Sequence, residues 1–467
     1  MNQLKSNGEI DGGGNSFIGA FTVVTFVFQI LMIVVWGITT TFSSQDELGL
    51  DIGNGVQPLY SHYLDMVMIV VLGFGLLSSF LKKYSHSSLA KTFFIVASLL
   101  QWAILCTAFW RRVESGIWDK ININIELLIF GVFGAFSVII TFGVLAGKIT
   151  FLAMFIVGFI EVSLWSLNYY IGSLVLEADD FGMAIFTHVF GAMFGLSSTF
   201  LLSRKWNTRD RKRIEDIESD YNTDFYSLLG TILLWVLFPS INAALAKPAT
   251  QMRVVINTVL SLCCSCIFSF WVSRTFRRKR FGIRDVQQAT IAGGIAMSSS
   301  VSSTIIPGAS MLVGSIAATF VAIGIAYIKP WLDSPLRKFP IHDSRGSIQL
   351  HGIAGIISVF AGIVATSIAH GEKIIFGQSF GEVFRAGSSQ AGLQAAALFI
   401  TIGIALLGGF LTSLFIYFLI PEKYVYFSDE DEWMLTNDFE KTHKDEDYQP
   451  ISTSQNLDDI EMENLDD

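Results

Sequence analysis

Long runs of apolar residues, separated by short polar segments, dominate the chain. A helix that crosses a membrane needs about 20 consecutive apolar residues. Runs of this kind occupy residues 17–42, 62–81, 88–110, 121–146, 149–175, 181–203, 225–246, 254–273, 286–305, 308–328, 347–369 and 391–420. The pattern predicts an all-α, multi-pass membrane protein with about twelve transmembrane helices.

The composition supports this prediction and argues against a soluble enzyme. Hydrophobic residues make up 52% of the chain and charged residues 15%, whereas soluble proteins carry about 25% charged residues. We find no nucleotide-binding loop, nucleophile motif or metal-ligand spacing, so we expect no enzyme, cofactor or metal. Basic and aromatic residues are not clustered as nucleic-acid binding requires. Cys106 and the "CCSC" at 263–266 lie in apolar runs and are expected to be buried small side chains.

The polar segments predict the orientation of the protein. An even number of spans places both termini on one side, and most Lys and Arg residues fall in loops that are cytoplasmic if the N-terminus is cytoplasmic. We therefore expect a cytoplasmic N-terminus at 1–16 and an acidic, disordered cytoplasmic tail at 421–467. The tail contains "YQPI", which has the form of a sorting signal, and is a candidate to bind cytoplasmic or sorting proteins. The plasma membrane or an endomembrane would house the protein.

Two histidines divide the membrane body into matching halves. The span at 17–42 is an extra N-terminal helix, 391–420 is the last helix, and the spans between them form two groups of five, 62–203 and 225–369. His188 and His351 each lie in the fifth span of a group. An odd number of spans gives the groups opposite orientations, the inverted-repeat architecture whose sites lie near the midplane. A single histidine there is most simply a core residue, but two at matched places predict a shared site.

Several longer stretches resemble the ammonium transporter/Rhesus superfamily, and specifically its Rhesus glycoprotein branch. They are "LGFGLLSSFLKKY", "FTHVFGAMFGL", "SLLGTILLWVLFPSINAAL", "QQATIAGGIA" and "IQLHGIAGI", in consistent order over roughly residues 60–420. The resemblance implies a homotrimer with one narrow hydrophobic pore per subunit. It also implies that His188 and His351 are the facing pair of histidines that line this pore.

The resemblance implies further pore residues and some departures from the family pattern. Phe133 matches the first of two stacked phenylalanines near the outer mouth, but Ile241 occupies the second place. We expect a looser apolar outer gate of Phe133 and Ile241. Ser302 stands where an acidic residue is common in the family, which puts a role for a carboxylate there in doubt.

Three carboxylates near or inside the spans need an interpretation. Asp180, eight residues before His188, and Asp224, before the seventh span, both match family aspartates. We expect structural or vestibule roles for them, chiefly as N-caps whose carboxylates accept hydrogen bonds from free backbone N–H groups. Glu161 lies within the fifth span, and the sequence shows no partner for it.

These residues suit the passage of ammonia. Moving an ammonium ion from water into an apolar channel costs roughly tens of kcal/mol by the Born estimate. Neutral ammonia avoids this cost, and a pair of imidazoles offers it both a donor and an acceptor. We predict a channel or transporter for ammonia/ammonium that conducts neutral ammonia, with carbon dioxide as a second candidate from the resemblance. An electrogenic ammonium transporter, a sensor and a non-conducting scaffold are the alternatives.

Overall fold

A computed structural model describes residues 13–42, 58–202, 219–333, 341–372, 374–384, 387–419 and 429–433. Most of the predicted N-terminal segment and of the predicted acidic tail, including "YQPI", lies outside the described residues.

The described residues form a bundle of long apolar helices. Eleven of these helices are long and apolar enough to cross a membrane, and a shorter one completes the series. In chain order they are α1 Gly19–Thr39, α2 Leu59–Phe80, α3 Lys82–Ser115, α4 Ile125–Leu145, α5 Phe151–Val175, α6 Ala184–Leu202, α7 Tyr221–Ala243, α8 Pro248–Phe276, α9 Ile283–Ile295, α10 Pro307–Leu332, α11 Ile348–His370 and α12 Gln390–Leu419. The chain is a multi-pass, all-α membrane protein, as the hydrophobic pattern predicts.

The predicted ninth span, 286–305, differs from the prediction because it is not one continuous helix. Helix α9 ends at Ile295, and a turn separates it from the short helix Val301–Thr304. The Ser298 hydroxyl donates to Asn242 Oδ1 at 2.8 Å, and the Ser299 backbone N–H donates to Ser358 Oγ at 3.0 Å. Serine hydroxyls compete with helical hydrogen bonds. The break is tolerated at membrane depth because the surrounding protein buries it.

Helices α2–α6 and α7–α11 are the two groups of five, and α1 and α12 are the extra helices. Helix α4 is the central helix: 94% of the residues in its most apolar stretch are buried, whereas the corresponding share for α1 is 11%. Apolar side chains on α1, such as Phe26 and Ile38, are exposed and therefore suited to contact lipid. Strand β1 (Thr40–Phe42) pairs in parallel with β2 (Ile121–Ile123), which fixes the end of α1 to the loop before α4.

Short antiparallel strands and widened helical turns complete the fold. Strand β3 (Ile374–Ile375) pairs with β4 (Gln378–Ser379) between α11 and α12. The backbone widens to π-helical turns at several places, two of which begin α6 (Ala184–Val189) and α11 (Ile348–Ile353). These two turns carry His188 and His351. Such π-turns are uncommon and occur frequently at functional sites.

Candidate functional site

The two predicted histidines meet in the interior of the bundle. The Nδ1 atoms of His188 and His351 lie 2.9 Å apart, and the two rings are nearly parallel, with 5.1 Å between their centroids. Both side chains are buried. One Nδ1 must donate and the other accept, so the contact holds the two rings in complementary tautomers. The structure thus brings the two predicted residues together, and their role as one functional site stays a prediction.

Aromatic rings surround the histidine pair. Phe136 lies edge-on to both imidazoles, with ring centroids 5.2 Å from His188 and 5.9 Å from His351. Phe74 lies 5.4 Å from His351, and Phe238 stacks on His188 at 6.3 Å. The Nε2 atom of His188 has no hydrogen-bond partner among the described residues. An apolar wall with an unused ring nitrogen leaves a polar small molecule as a natural partner for that atom.

Glycines let helices α6 and α11 come close enough for the rings to meet. A Cβ on Gly355 would lie 2.8 Å from Val189 Cγ2 and 3.5 Å from His188 Cβ. A Cβ on Gly191 would lie 2.6 Å from the Ser137 carbonyl oxygen, on the neighbouring helix α4. Any larger residue at these positions would force α6 away from its neighbours, so the glycines after each histidine serve close packing.

Asp180 fixes the start of the helix that carries His188. Its carboxylate accepts from the backbone N–H groups of Ala184 at 2.9 Å, Ile185 at 2.7 Å and Phe186 at 3.1 Å. The prediction that Asp180 is an N-cap agrees with these bonds. Burial raises the pKa of Asp180 to about 7, and the three N–H groups oppose that rise only in part.

A second aspartate does the same for His351, and the sequence reasoning missed it. Asp343 accepts from the backbone N–H groups of Gly346 at 2.9 Å and Ile348 at 2.8 Å, and also from Arg345 and Ser347 at 3.2 Å. Burial raises its pKa, against the opposing effect of nearby lysines and N–H groups. Asp343 precedes His351 by the same eight residues that separate Asp180 from His188. That shared spacing was the signal that could have revealed it.

The beginning of α6 opens onto a wide cavity, which we call the vestibule. It has a volume of about 940 Å³, and Asp179, Asp180 and Met183 are among its lining residues. Glu114 and Glu126 add acidic groups to its wall, and Arg111 and Lys247 add basic ones. Arg111 pairs with Glu126 at 2.7 Å and lies over the Phe130 ring at 4.7 Å. The wall therefore carries more acidic than basic side chains.

On the other side of the histidine pair, His351 itself lines a much smaller cavity. This small cavity holds about 20 Å³, roughly the space of one water molecule. Apolar side chains form most of its wall, and Arg345 is the charged residue among the described residues that line it. The histidine pair therefore lies between the wide vestibule, whose wall is mainly acidic, and a small cavity lined by the positively charged Arg345.

The other predicted site residues are placed as follows. Phe133 and Ile241 are fully buried in the same hydrophobic core, and they line neither of the two cavities. The predicted cap at Asp224 is wrong: Asp220 caps α7, accepting from the Thr223 N–H at 2.9 Å, because it stands just outside the first turn. Asp224 instead lies within that turn. Glu161 is buried and accepts from the Thr141 hydroxyl at 2.8 Å.

No group of three or more His, Cys, Asp or Glu side chains that could hold a metal occurs among the described residues. The four cysteines are unpaired thiols that lie buried or half-buried. The arrangement offers hydrogen bonding to a small molecule.

The fold and the site together define a multi-pass membrane protein with a buried histidine pair between two cavities. Residues 22–439 match the Ammonium Transporter Family. The chain is 32% identical to Rhesus-like glycoprotein A of Dictyostelium discoideum over 449 residues, which cover 90% of this chain and 83% of that protein. It is 30% identical to ammonium transporter Rh type B of Oryzias latipes over 447 residues, covering 91% and 94% respectively.

The similarity extends to solved structures. The fold is similar to that of Rh50 of Nitrosomonas europaea, with a TM-score of 0.68, 24% sequence identity and coverage of 83% of this chain and 94% of that chain. The chain belongs to the ammonium transporter family and, within it, to the Rhesus branch. This is a family of transporters and not of enzymes.

Proposed function

We propose that this protein conducts neutral ammonia across a membrane, past His188 and His351. The observation that carries the proposal is the 2.9 Å contact between the two Nδ1 atoms inside an aromatic wall. With one Nδ1–H shared in this contact, one ring keeps a free Nε2 acceptor and the other an Nε2–H donor. Ammonia has a lone pair and three N–H groups, so it fits both.

The vestibule suits the cationic form of the substrate. Asp179, Glu114 and Glu126 supply negative charge to a chamber wide enough for a hydrated ion. Acidic side chains outnumber the basic ones, Arg111 and Lys247, in this wall, and an excess of negative charge raises the local concentration of cations. Ammonium would gather there, lose its proton, and continue as ammonia, because the apolar surroundings of the histidines do not repay the loss of an ion's hydration.

The distribution of basic residues supports an extracellular vestibule. The opposite side carries the basic segment Arg274–Arg284, Lys82, Lys83 and Lys148, as the positive-inside rule requires for the cytoplasm. Both termini would then be cytoplasmic, in the plasma membrane or an endomembrane. Phe133 and Ile241, both buried in the same large hydrophobic core, would form the apolar gate between the vestibule and the histidines.

The homotrimer and carbon dioxide as a second substrate rest on the resemblance to the Rhesus branch alone. No contact among the described residues favours carbon dioxide over ammonia. Binding of cytoplasmic or sorting proteins by the acidic tail concerns residues mostly outside the described ranges. These three predictions await experiment.

The test is ammonia-driven alkalinisation of proteoliposomes, recorded by stopped-flow fluorescence. The double variant His188→Ala/His351→Ala should lower the flux by about thirtyfold, since it removes both the donor and the acceptor, each worth about 1 kcal/mol. Trimer assembly, read by size-exclusion chromatography, should survive. Equal flux in the wild type and the double variant would refute the site. Wild-type flux no greater than that of empty liposomes would favour the scaffold.

A further inference from the structure

Arg345 is a buried arginine whose guanidinium is only partly hydrogen-bonded. Its side chain is 3% exposed, Nη2 donates to Ser88 Oγ at 2.6 Å, and the guanidinium lies over the Phe142 ring at 4.7 Å. Its Nε and Nη1 atoms have no hydrogen-bond partner among the described residues. Buried charged groups are normally paired. Two unused donors in the interior therefore need an explanation.

The unused donors belong to a residue that lines the small cavity together with His351. Among the described residues, Arg345 makes no ion pair within 4 Å, and the Asp343 carboxylate beside it is occupied by backbone N–H groups. Burial lowers the pKa of Arg345 to about 10, so the side chain stays charged at neutral pH. A buried positive charge, which Asp343 and Asp429 influence from a distance but do not pair with, therefore lines a space for one small molecule.

The chemistry of a guanidinium discriminates between ammonia and ammonium. Arginine is a donor only, with no acceptor atom. Ammonium also has donors only, so it can accept nothing from Arg345 and is repelled by its charge. Ammonia carries a lone pair that can accept from the free N–H groups and bears no charge. A positively charged side chain that lines the narrow part of a pore is an established electrostatic barrier to cations.

We propose that Arg345 is the specificity-determining residue that bars ammonium at the small cavity and admits neutral ammonia, so that transport is electroneutral. This inference rests on the proposed conduction past the histidines and adds to it the form in which the substrate leaves. It also assigns the charge selectivity to the end of the path opposite the vestibule.

The experiment compares the wild type with Arg345→Met and Arg345→Lys in proteoliposomes. Ammonia-driven alkalinisation and ammonium-evoked current at clamped potential are recorded on the same preparation. The wild type should alkalinise without current. Arg345→Met, which keeps the bulk but removes the charge, should give an ammonium current at least about tenfold above that of empty liposomes, because the Coulomb barrier to the ion is gone. Arg345→Lys retains the charge and should stay electrically silent.

Arg284→Met is the matched control. Arg284 lies over the Phe80 ring at 4.2 Å, on the same side of the protein, but it does not line the small cavity. Removing its charge should produce no current. A current in this control equal to that of Arg345→Met would overturn the assignment, because the effect would then come from general surface charge.

The remaining outcomes separate this inference from the proposed function. If the wild type fluxes ammonia and Arg345→Met does so without current, conduction stands and the role of Arg345 is refuted. If the wild type gives no flux, conduction itself fails. Should Arg345→Met not assemble, Arg345→Gln replaces it, and the wild type alone still decides: an ammonium current proportional to its flux would overturn the inference.

Discussion

The two helices that carry the histidines begin with the same aspartate cap but lie next to very different cavities. Asp180 and Asp343 each fix the π-helical start of one of these helices, eight residues before its histidine. Around Asp180 the protein opens into an acidic vestibule of about 940 Å³, whereas beside Asp343 it closes to about 20 Å³ next to Arg345. The repeated element therefore positions the imidazoles, and the unrepeated surroundings give the path its polarity.

The largest effect is expected when the aspartate cap of either histidine-bearing helix is removed. Asp180→Asn and Asp343→Asn each lose one acceptor oxygen and turn an amide N–H₂ towards backbone donors. An unsatisfied buried group costs about 1–3 kcal/mol, so we expect ammonia flux to fall by about tenfold as the histidine moves. Asp343→Asn should be the more severe, since Asp343 accepts from four N–H groups and Asp180 from three.

The pH dependence should separate the two variants further. Because burial raises the pKa of Asp180 to about 7, it becomes a full carboxylate only as pH on its side rises through that value. Wild-type flux, at a constant ammonia gradient, should rise through this range, and Asp180→Asn should abolish the step. Asp220→Asn, which alters a cap distant from the histidines, serves as the control and should leave flux unchanged. Normal flux in both pore variants would show that the caps are dispensable.

A smaller effect is expected from the proposed apolar gate. Phe133→Ala should open the vestibule end to larger amines and raise methylamine flux by about threefold, because a deleted ring leaves a void near the path. It should not create an ammonium current, since Arg345 remains. Ile241→Phe should act in the opposite direction by filling space. Methylamine-driven alkalinisation compared with ammonia-driven alkalinisation measures this, and a current in Phe133→Ala would place charge selectivity at the gate instead.

The smallest effect concerns Lys148, a fully buried lysine beside the Asp343 turn. Its Nζ donates to the Val144 carbonyl at 2.8 Å, to Thr199 Oγ1 at 3.0 Å and to the His342 carbonyl. Burial lowers its pKa to about 7, while Asp343 and Asp333 oppose that shift and Lys329 adds to it.

The sign of its pH effect on stability follows from these values. The unfolded state keeps the lysine proton up to the ordinary pKa of 10.5, while the folded state releases it near 7. The unfolded state therefore binds more protons between these values, and stability should rise with pH there. We expect the Tm of the detergent-solubilised wild type to rise by a few degrees from pH 7 to 9 relative to Lys148→Met. Parallel Tm curves for the two proteins would contradict this reading.

The amino-acid sequence was sufficient to predict the helical architecture and to single out the two histidines that the fold brings together. Apolar runs of membrane-spanning length have few alternatives in a bilayer, because every backbone polar group there must be satisfied within the segment. His188 and His351 were recognisable as polar residues at matched positions in two groups of five spans. Asp180 was recognisable as a cap because a carboxylate just before an apolar helix has a strong local reason to be there.

Features that depend on contacts between distant segments could not be predicted from the sequence and became visible in the folded chain. The break in the ninth span is accompanied by hydrogen bonds from Ser298 to α7 and from Ser299 to α11. The hydrophobic pattern of a single segment cannot show such contacts with other helices. The cap of α7 is Asp220 and not the predicted Asp224, because the helix begins one turn earlier than the hydrophobic pattern predicts. Arg345 could not be singled out from the sequence, because only the folded chain shows that it lines the same small cavity as His351 and that two of its buried N–H groups lack partners among the described residues.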